Sequence, residues 1–549
     1  MKLVITILDT TGIQPYIFGS NKLRENIGAS HLVKQATDDW AKEALETLAQ
    51  NHGKTIYFPD LDNVSADQKP HIEDGELIAE LIYAGGGNTV LLFSELQYAK
   101  EFTQILSKRI LKDAHGINLI AVHRENFDWH TESLYEAIEY LMKNDLDRKK
   151  QEQIPSSPLL GLGVTADCKS TRLVAVDTSD REEYGMPKDS AAYLISKAIG
   201  AKLKAVKSAN DLLEDFIFDP QKPKRYGIPL DVDEMGRSEG ESSYIAVVHA
   251  DGNNMGKRFQ EFGKNKPNRQ YIIDMRRLSH TVNMAGKNAL KELGKTIIDR
   301  LDREVLQDKL HINGKKLPFR PLVYGGDDVT FVCDGRLGLE LAALYLEEFA
   351  KQIVADGKPL TACAGVCIVK THYPFARAYK LSEALCKNAK QYLKKAKKKD
   401  GSALDWHLAA SGLIGKIGEI REREYKVPNG DLTMRPLLMD DGDLYEWRTW
   451  QGFKKIVESF KTGNWQDEVG KDIRVNRNKI IALREVLRKG SDATREFLTA
   501  YQISNLPIYH SDRDVNNLAV AGWLDGECGY FDAIEAMEFY VSLQEEVNE

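Results

Sequence analysis

The stretch that decides the fold of this chain is Val323-Tyr324-Gly325-Gly326-Asp327-Asp328-Val329-Thr330-Phe331. β-Branched and aromatic residues on both sides of its centre predict two strands joined by a tight hairpin. Gly325 and Gly326 permit the turn and a close approach of a substrate to the backbone. An isolated Asp-Asp pair is most often a polar hairpin tip. The glycines and the flanking strands favour a metal-binding and nucleotide-binding turn instead.

A second strand-like run lies upstream, and its sequence is Tyr244-Ile245-Ala246-Val247-Val248-His249-Ala250. It ends at Asp251. Two carboxylates ~4 Å apart repel by roughly 4 kcal/mol at an effective dielectric of ~20, and a divalent cation removes that cost. Mg²⁺ takes oxygen ligands and keeps phosphate oxygens or waters in its shell. We therefore expect Asp251, Asp327 and Asp328 to be catalytic and to hold Mg²⁺ or Mn²⁺ against a nucleotide triphosphate.

Two further segments are candidates for nucleotide binding. Gly252, Asn253 and Asn254 follow Asp251 in a donor-rich segment, and backbone N–H groups at a helix start can surround phosphate. The spacing of a Walker A loop is absent, and an Asx-rich helix cap is the alternative. Lys390 belongs to a lysine-rich helix between residues 387 and 399, most of which is expected to be a solvated face.

An internal repeat divides the first 410 residues into two related halves. In the first half, Asp9 ends a strand and a glycine hairpin reaches Asn88, 79 residues later; Asp251 and Asp328 are 77 residues apart. Each hairpin precedes a helical segment and another strand, which predicts a ferredoxin-like βααββαβ sheet in each half. Because Gly87 and Asn88 carry no negative charge, the first half should be catalytically inactive and should form a wall that cradles the acceptor nucleotide.

The chain is therefore predicted to be an α+β protein with four parts. They are a first ferredoxin-like domain (1–155), a small middle domain with linker (156–240), a second ferredoxin-like domain (241–410) and a helical C-terminal domain (411–549). In the middle domain we expect a helix from Ala191 to Lys207. After Ala410 the apolar periodicity is helical, with no strand alternation.

Composition narrows the class of protein. The 549 residues have a mean hydropathy of −0.41, and no run approaches the ~20 apolar residues that span a bilayer, so we expect a cytoplasmic protein without a membrane segment. The N-terminus resembles a strand more than a signal peptide. The six cysteines include no C-x-x-C pair and are expected to be buried. A net charge of −7 gives no general case for nucleic-acid binding.

The motifs together resemble those of a known family. They are His249-Ala250-Asp251-Gly252-Asn253-Asn254-Met255-Gly256, Gly325-Gly326-Asp327-Asp328, and Ala389-Lys390 ahead of Gly401-Ser402-Ala403-Leu404-Asp405-Trp406-His407. This set is similar to the large Palm-polymerase subunit, the cyclic oligoadenylate synthase, of type III CRISPR effector complexes. Gly12-Ile13-Gln14-Pro15-Tyr16-Ile17 resembles the opening of that family's inactive first Palm domain. The resemblance covers essentially the whole chain.

The resemblance implies two Palm (nucleotidyl cyclase-like) domains, of which the second is active. It implies that ATP is joined 3′ to 5′ into cyclic oligoadenylates with release of pyrophosphate, by two metal ions, in antiviral defence. The implied partners are the other subunits of a type III CRISPR complex with guide and target RNA. Asp251 and Asp327 would be the main metal ligands, and Asp328 would support the metal and the attacking 3′-hydroxyl. Lys390 would hold phosphate and Ser279 would contact the nucleotide.

The chain departs from the family's pattern in two respects. The family often begins with an HD nuclease domain, whereas this sequence starts at the Palm strand and has no His-Asp doublet. Cleavage of single-stranded DNA is therefore not expected. The family's middle domain often carries zinc-binding C-x-x-C pairs, whereas Cys168 stands alone here, so we do not expect zinc.

Two alternatives remain open from the sequence. A stand-alone cyclase could make cyclic dinucleotides, as GGDEF-type cyclases do. A non-catalytic scaffold subunit could bind an RNA-guided complex through the helical C-terminal domain. Base choice, product length, ring closure and the activating signal depend on pocket shape rather than on these motifs.

Overall fold

A computed structural model describes most of the chain: residues 1–58, 70–85, 87–152, 162–235, 243–310, 316–396, 398, 400–409, 415–440, 447–467, 469–509 and 518–543. The predicted domain boundaries near residues 155, 240 and 410 lie outside these ranges and stay predictions. Within the described ranges, no helix has the length and apolar character needed to cross a bilayer.

The secondary structure alternates between strands and helices up to residue 409. The strands are β1 (Lys2–Thr11), β2 (Thr55–Tyr57), β3 (Leu77–Gly85), β4 (Asn88–Phe93), β5 (Asn118–Asp128), β6 (Asp177–Thr178), β7 (Leu194–Ile195), β8 (Tyr244–Gly252), β9 (Phe319–Gly325), β10 (Asp328–Asp334), β11 (Ala362–Lys370), β12 (Ala403–Ala409), β13 (Lys426–Val427), β14 (Gly430–Asp431), β15 (Leu437–Leu438), β16 (Asn464–Gln466), β17 (Asp472–Arg474), β18 (Trp523–Leu524) and β19 (Glu527–Cys528).

The helices cover the sheets and dominate the C-terminal part. They are α1 (Ile13–Phe18), α2 (Leu23–Thr37), α3 (Asp39–His52), α4 (Leu96–Asp113), α5 (Leu134–Tyr140), α6 (Asp147–Glu152), α7 (Lys197–Ile217), α8 (Met255–Gly263), α9 (Asn268–Asp302), α10 (Gln307–Leu310), α11 (Gly338–Ala350), α12 (Phe375–Lys395), α13 (Ile417–Glu424), α14 (Trp450–Thr462), α15 (Arg477–Leu487), α16 (Ser491–Ala500) and α17 (Phe531–Ala536). A π-helical turn, Leu141–Leu146, joins α5 to α6.

The two large sheets have the same central topology, which confirms the predicted ferredoxin-like fold. The first sheet has the order β2-β3-β4-β1-β5, and the second has the order β15-β12-β11-β8-β10-β9. In the first sheet Asp9 of β1 lies opposite Asn88 of β4, and in the second Asp251 of β8 lies opposite Asp328 of β10. The repeat inferred from sequence spacing is therefore a repeat of strand register.

The middle and C-terminal parts differ in detail from the sequence prediction. Helix α7 begins at Lys197, where the Ser196 hydroxyl caps it, and continues to Ile217, so the predicted range of 191 to 207 was six residues early at its start and ten short at its end. The C-terminal part is helical but also has short strands, and β15 pairs with β12 at the edge of the second sheet. The prediction missed these strands because segments of two or three residues are too short for an alternating pattern.

The six cysteines are all buried and none forms a disulfide, as predicted. Three of them lie on strands β10 and β11 of the second sheet, where small apolar side chains allow helices to pack closely. These three side chains are part of the hydrophobic core.

A buried ionic cluster fastens the first sheet to helix α9. Glu80 of β3 is 2% exposed and accepts hydrogen bonds from Arg269 (2.7 Å) and Arg276 (2.8 Å) of α9. Arg276 also donates to the Leu81 carbonyl oxygen. Burial opposes ionisation of Glu80, but the two guanidinium groups outweigh it and lower the pKa of this carboxyl. Because α9 packs beside β9, this cluster sets the position of the first sheet relative to the second.

We predict that Glu80→Ala lowers the free energy of unfolding by about 3–5 kcal/mol, since it leaves the buried Arg276 guanidinium group without its carboxylate partner and Arg269 with Glu73 alone. Urea denaturation followed by circular dichroism measures the change. Glu76→Ala, at an exposed position on the same segment, is the matched control and should behave as wild type.

The same cluster predicts a pH dependence. A lowered carboxyl pKa stabilises the fold above the usual pKa of glutamate, and this contribution is lost as the pH falls. The stability difference between wild type and Glu80→Gln should therefore shrink below about pH 4, near that usual value. A difference that grows on acidification would contradict the assignment.

Candidate active site

The three aspartates meet at the ends of two adjacent strands. Asp251 and Asp328 are cross-strand partners in the β8–β10 ladder, and the Gly252 N–H donates to the Asp327 carbonyl oxygen (3.1 Å). Directly opposed residues of an antiparallel pair point to the same face, with Cβ atoms about 4.5–5.5 Å apart. The structure therefore places the three aspartates that the sequence singled out at the same ends of two neighbouring strands.

Glycines make this convergence possible. A Cβ on Gly252 would lie 2.8 Å from Asp327 Cβ and 3.0 Å from its Oδ2, so the Asp327 side chain packs directly on the Gly252 backbone. Gly325 (φ 154°) and Gly326 (φ 71°) have the positive φ angles that L-residues with side chains avoid. The hairpin can hold its aspartates in this place only with glycine at these positions.

Helix α9 supports the hairpin through two residues that the sequence reasoning missed. The Gly326 N–H donates to Asn283 Oδ1 (3.2 Å). A Cβ on Gly286 would lie 2.4 Å from the Gly326 carbonyl oxygen, so the turn sits directly on the helix backbone. Asn283 and Gly286 are three residues apart and share a helix face. The three-residue spacing is the one signal that the sequence gives for this contact. It is a weak signal, because Asn283 and Gly326 are 43 residues apart in the chain.

The carboxylates repel one another in the absence of a cation. Burial raises the pKa of Asp327 to about 6 and that of Asp328 to about 7, and the charge of Asp251 adds to both shifts. Asp328 Oδ1 is buried without a hydrogen-bond partner. His249 Nδ1 lies 3.3 Å from this oxygen, and the same ring nitrogen is 3.2 Å from Thr330 Oγ1. Because the carboxyl groups repel one another and Asp328 Oδ1 has no hydrogen-bond partner, these oxygens are suited to bind a cation.

Lys390 of α12 contacts the first of these aspartates. Its Nζ donates to Asp251 Oδ2 (2.7 Å) and to the Gly252 carbonyl oxygen (2.8 Å). The sequence motif thus identified a lysine that lies in the site. In this structure its partner is a carboxylate and a backbone carbonyl.

A cavity of about 920 Å³ opens at the hairpin, between the two sheets and their helices. From the second half it is lined by Ser279, Gly325, Gly326, Asp327 and Asp328. From the first half it is lined by residues that include Lys34, Tyr83 and Gly87. Ser279, which the sequence gave only through a resemblance, is therefore placed on the same wall as the acidic turn. The cavity is wide enough for drug-sized or nucleotide-sized ligands.

Asn253 and Asn254 do not line this cavity. The Asn253 side chain donates to Thr361 Oγ1 (3.3 Å) and to the Gly401 carbonyl oxygen (3.0 Å), so it holds the loop to neighbouring segments. Asn254 is exposed and has a left-handed backbone conformation (φ 57°) at the N-cap of α8. Both placements agree with the helix-cap alternative, and a nucleotide-binding role for these two side chains stays a prediction.

The second half of the chain matches a family model. Residues 244–401 match the model described as Cas10/Cmr2, second palm domain. This segment is similar to the second palm domain of Cas10/Cmr2. The match confirms the resemblance drawn from the sequence motifs, and it contains Asp251, the hairpin and Lys390. No curated protein sequence matches the chain.

Solved structures extend the similarity of fold beyond the segment that matches the family model. Three crystal structures of a Csm1–Csm4 cassette are similar to the chain, in complex with pppApApA (TM-score 0.52, 11% identity), with cA3 (0.52, 11%) and with one ATP (0.51, 12%). Each match covers 98% of this chain and 70% of the other. At such identities the similarity shows a shared fold of palm domains and a helical region.

The contact between α9 and the hairpin is open to a direct test. Gly286→Ala places a methyl group against the Gly326 carbonyl oxygen, and overpacking of this kind costs typically about 1–3 kcal/mol. We predict a lower melting temperature and a displaced acidic turn, so that added Mn²⁺ raises the melting temperature less than in wild type.

The control is Gly418→Ala, the same change at an exposed helix position where a Cβ meets nothing within 4 Å. It should leave the melting temperature unchanged or slightly raised, because alanine favours helix. If Gly286→Ala melts and responds to Mn²⁺ as Gly418→Ala does, the described contact is wrong.

Proposed function

We propose that the chain is a metal-dependent nucleotidyltransferase that joins ATP into oligoadenylates, cyclic or linear, as second messengers in a type III CRISPR antiviral complex. The observation that carries the proposal is the register of β8 and β10. It sets Asp251 opposite Asp328 and places Asp327 and Asp328 at a nucleotide-sized cavity between two palm-type sheets.

The residues at the hairpin fit a hard divalent cation such as Mg²⁺ or Mn²⁺. They offer carboxylate oxygens, they repel one another without a counter-charge, and Asp328 Oδ1 has no hydrogen-bond partner. Within the described ranges, no three His, Cys, Asp or Glu side chains form a ready metal centre. We infer that Asp251, Asp327 and Asp328 would hold the cation together with phosphate oxygens and water, as Mg²⁺ sites with few protein ligands do.

The bound cation would supply charge stabilisation at the transferring phosphoryl group and would favour ionisation of the attacking 3′-hydroxyl. The chain's own groups would align the reactants. Gly325 and Gly326 would let the α-phosphate approach the backbone, and Ser279, which lines the cavity from α9, would contact the nucleotide. Lys390 would hold phosphate charge. Positioning of this kind contributes most of the rate in phosphoryl transfer.

The first sheet would bind the acceptor nucleotide without catalysing transfer. Its hairpin carries Asn88 where the second carries Asp328, and Gly87 lines the shared cavity. A neutral amide cannot hold a hard cation in place of a carboxylate. One catalytic half and one supporting half would thus face each other across a single cavity.

The choice of ATP and of partners is supported by the fold relatives. Structures of the Csm1–Csm4 cassette contain ATP, pppApApA or cA3. By extension we propose ATP as substrate, oligoadenylates as products, and assembly with further type III subunits that carry guide and target RNA.

The test is incubation of the purified chain with radiolabelled ATP and Mn²⁺, alone and with its associated subunits and target RNA. Product mass is read by mass spectrometry. Asp327→Ala should reduce product formation at least ~100-fold, as loss of one electrostatic stabiliser commonly does. Asp492→Ala, at a side chain that is 89% exposed and far along the C-terminal part, should retain wild-type activity.

The outcomes separate the alternatives. Oligoadenylates that disappear in Asp327→Ala support the proposal. Cyclic dinucleotides made by the chain alone, from ATP or GTP, would favour the stand-alone cyclase. Absence of any product in the presence of subunits and RNA, with weak nucleotide binding, would favour the scaffold.

A further inference from the structure

The second palm, formed by β8–β12 with their helices, contains an ion pair inside its proposed catalytic site. Lys390 Nζ lies 2.7 Å from Asp251 Oδ2, and it also donates to the Gly252 carbonyl oxygen. The lysine side chain is 24% exposed and the aspartate side chain is 41% exposed. The Lys390 ammonium group thus already contacts one oxygen of Asp251, a carboxylate that is proposed to bind the divalent cation.

The first palm, formed by β1–β5 with their helices, contains an equivalent pair. Lys150 Nζ of α6 lies 2.5 Å from Asp9 Oδ2. The sequence separation is 141 residues from Asp9 to Lys150 and 139 from Asp251 to Lys390. In both palms the aspartate lies near the end of the central strand, β1 or β8. The lysine comes from a helical segment that follows β5 or β11, the strand that pairs with the central strand on the side away from the hairpin. The repeat therefore preserves an Asp–Lys pair that sequence comparison of the halves did not show.

The two pairs differ in the charge around them. In the first palm, Lys150 neutralises Asp9, and the residue opposite is the neutral Asn88. In the second palm, three carboxyl groups, those of Asp251, Asp327 and Asp328, face one ammonium group, so the carboxyl groups outnumber the positive charge. One ammonium group therefore balances the carboxylate charge of Asp9 in the first palm, but it does not balance the charge of the three aspartates in the second.

We propose that Lys390 is a displaceable counter-ion that competes with the divalent cation for Asp251. The cation then binds tightly only together with a nucleotide. The phosphates of that nucleotide accept the Lys390 ammonium group as an ion-pair partner when it leaves the Asp251 carboxylate. In the first palm Lys150 is the permanent form of the same counter-ion, because Gly87 and Asn88 supply no carboxylate at the hairpin. This regulation of metal binding rests on the proposed function.

The geometry supports this competition in two ways. Lys390 donates to Asp251 Oδ2 and to the carbonyl oxygen of the next residue, Gly252, so it lies at the end of β8. Asp251 does not line the cavity, whereas Asp327 and Asp328 do. The hairpin aspartates have no comparable lysine or arginine partner among the described contacts, and Asp328 Oδ1 is free of hydrogen bonds. A cation can therefore reach Asp327 and Asp328 without competition, whereas at Asp251 it competes with Lys390 for the charge of the carboxylate.

The test measures Mn²⁺ binding to the full chain by electron paramagnetic resonance of free Mn²⁺, with and without a non-hydrolysable ATP analogue. Wild type should bind Mn²⁺ weakly alone and more tightly with the analogue. Lys390→Met should bind Mn²⁺ about tenfold more tightly than wild type without nucleotide, within the usual range of coupling between ligands. It should also lose most of the gain that the analogue provides.

Lys387→Met is the matched control, on the same helix at a side chain that is 67% exposed, and it should bind Mn²⁺ as wild type does. Lys150→Met should gain no Mn²⁺ site, because Asn88 supplies no second carboxylate. Damage to the fold would weaken Mn²⁺ binding, so tighter binding by Lys390→Met is specific to competition.

Equal or weaker nucleotide-free Mn²⁺ binding by Lys390→Met would overturn the proposal, as would a new Mn²⁺ site in Lys150→Met. Such results leave the proposed function standing if wild type still makes oligoadenylates. The proposed function fails separately, when wild type makes no product although the variants bind Mn²⁺ as expected here.

Discussion

The antiparallel register between β8 and β10 is the constraint on which the rest of the site depends. It sets Asp251 opposite Asp328 and bonds the Gly252 N–H to the Asp327 carbonyl oxygen. A slip of one residue would turn Asp251 to the other face of the sheet and separate the carboxylates. The close packing of Gly286 on the hairpin and the hydrogen bond that Asn283 Oδ1 accepts from the Gly326 N–H hold the turn against such a slip. Repulsion among the aspartates is therefore tolerated because the backbone ladder and the helix contact fix them in place.

The repeat explains how one chain supports two unlike halves. Both sheets keep the same strand order, the same cross-strand pair and a lysine on the central aspartate. Replacement of the hairpin carboxylates by Gly87 and Asn88 removes the surplus negative charge from the first half without changing its fold. The buried cluster of Glu80 with Arg269 and Arg276 then fixes the inactive half beside the acidic hairpin. The charge at the hairpin thus differs between the two halves, whereas the central architecture is the same.

The features that the sequence predicted are local or repeated ones. Alternating apolar strands around Gly325–Gly326, the strand ending at Asp251 and the interval from Asp9 to Asn88 follow from periodicity and spacing. What it missed depends on contacts between distant segments: Asn283 with Gly326, Lys150 with Asp9, and strand β15 beside β12. Asn253 shows the opposite case. The donor-rich segment that contains Asn253 suggested phosphate binding, whereas the side-chain amide of Asn253 donates to Thr361 and Gly401 and holds the loop to them.

The central claim is that aspartates from two strand ends share a divalent cation with a nucleotide. Anomalous diffraction from crystals grown with Mn²⁺ and a non-hydrolysable ATP analogue tests it most directly. The account predicts an Mn²⁺ peak about 2.1 Å, a typical distance for such ions, from carboxylate oxygens of both Asp251 and a hairpin aspartate, with phosphate oxygens completing the shell. Nucleotide in the cavity with no Mn²⁺ peak between these strand ends would contradict it.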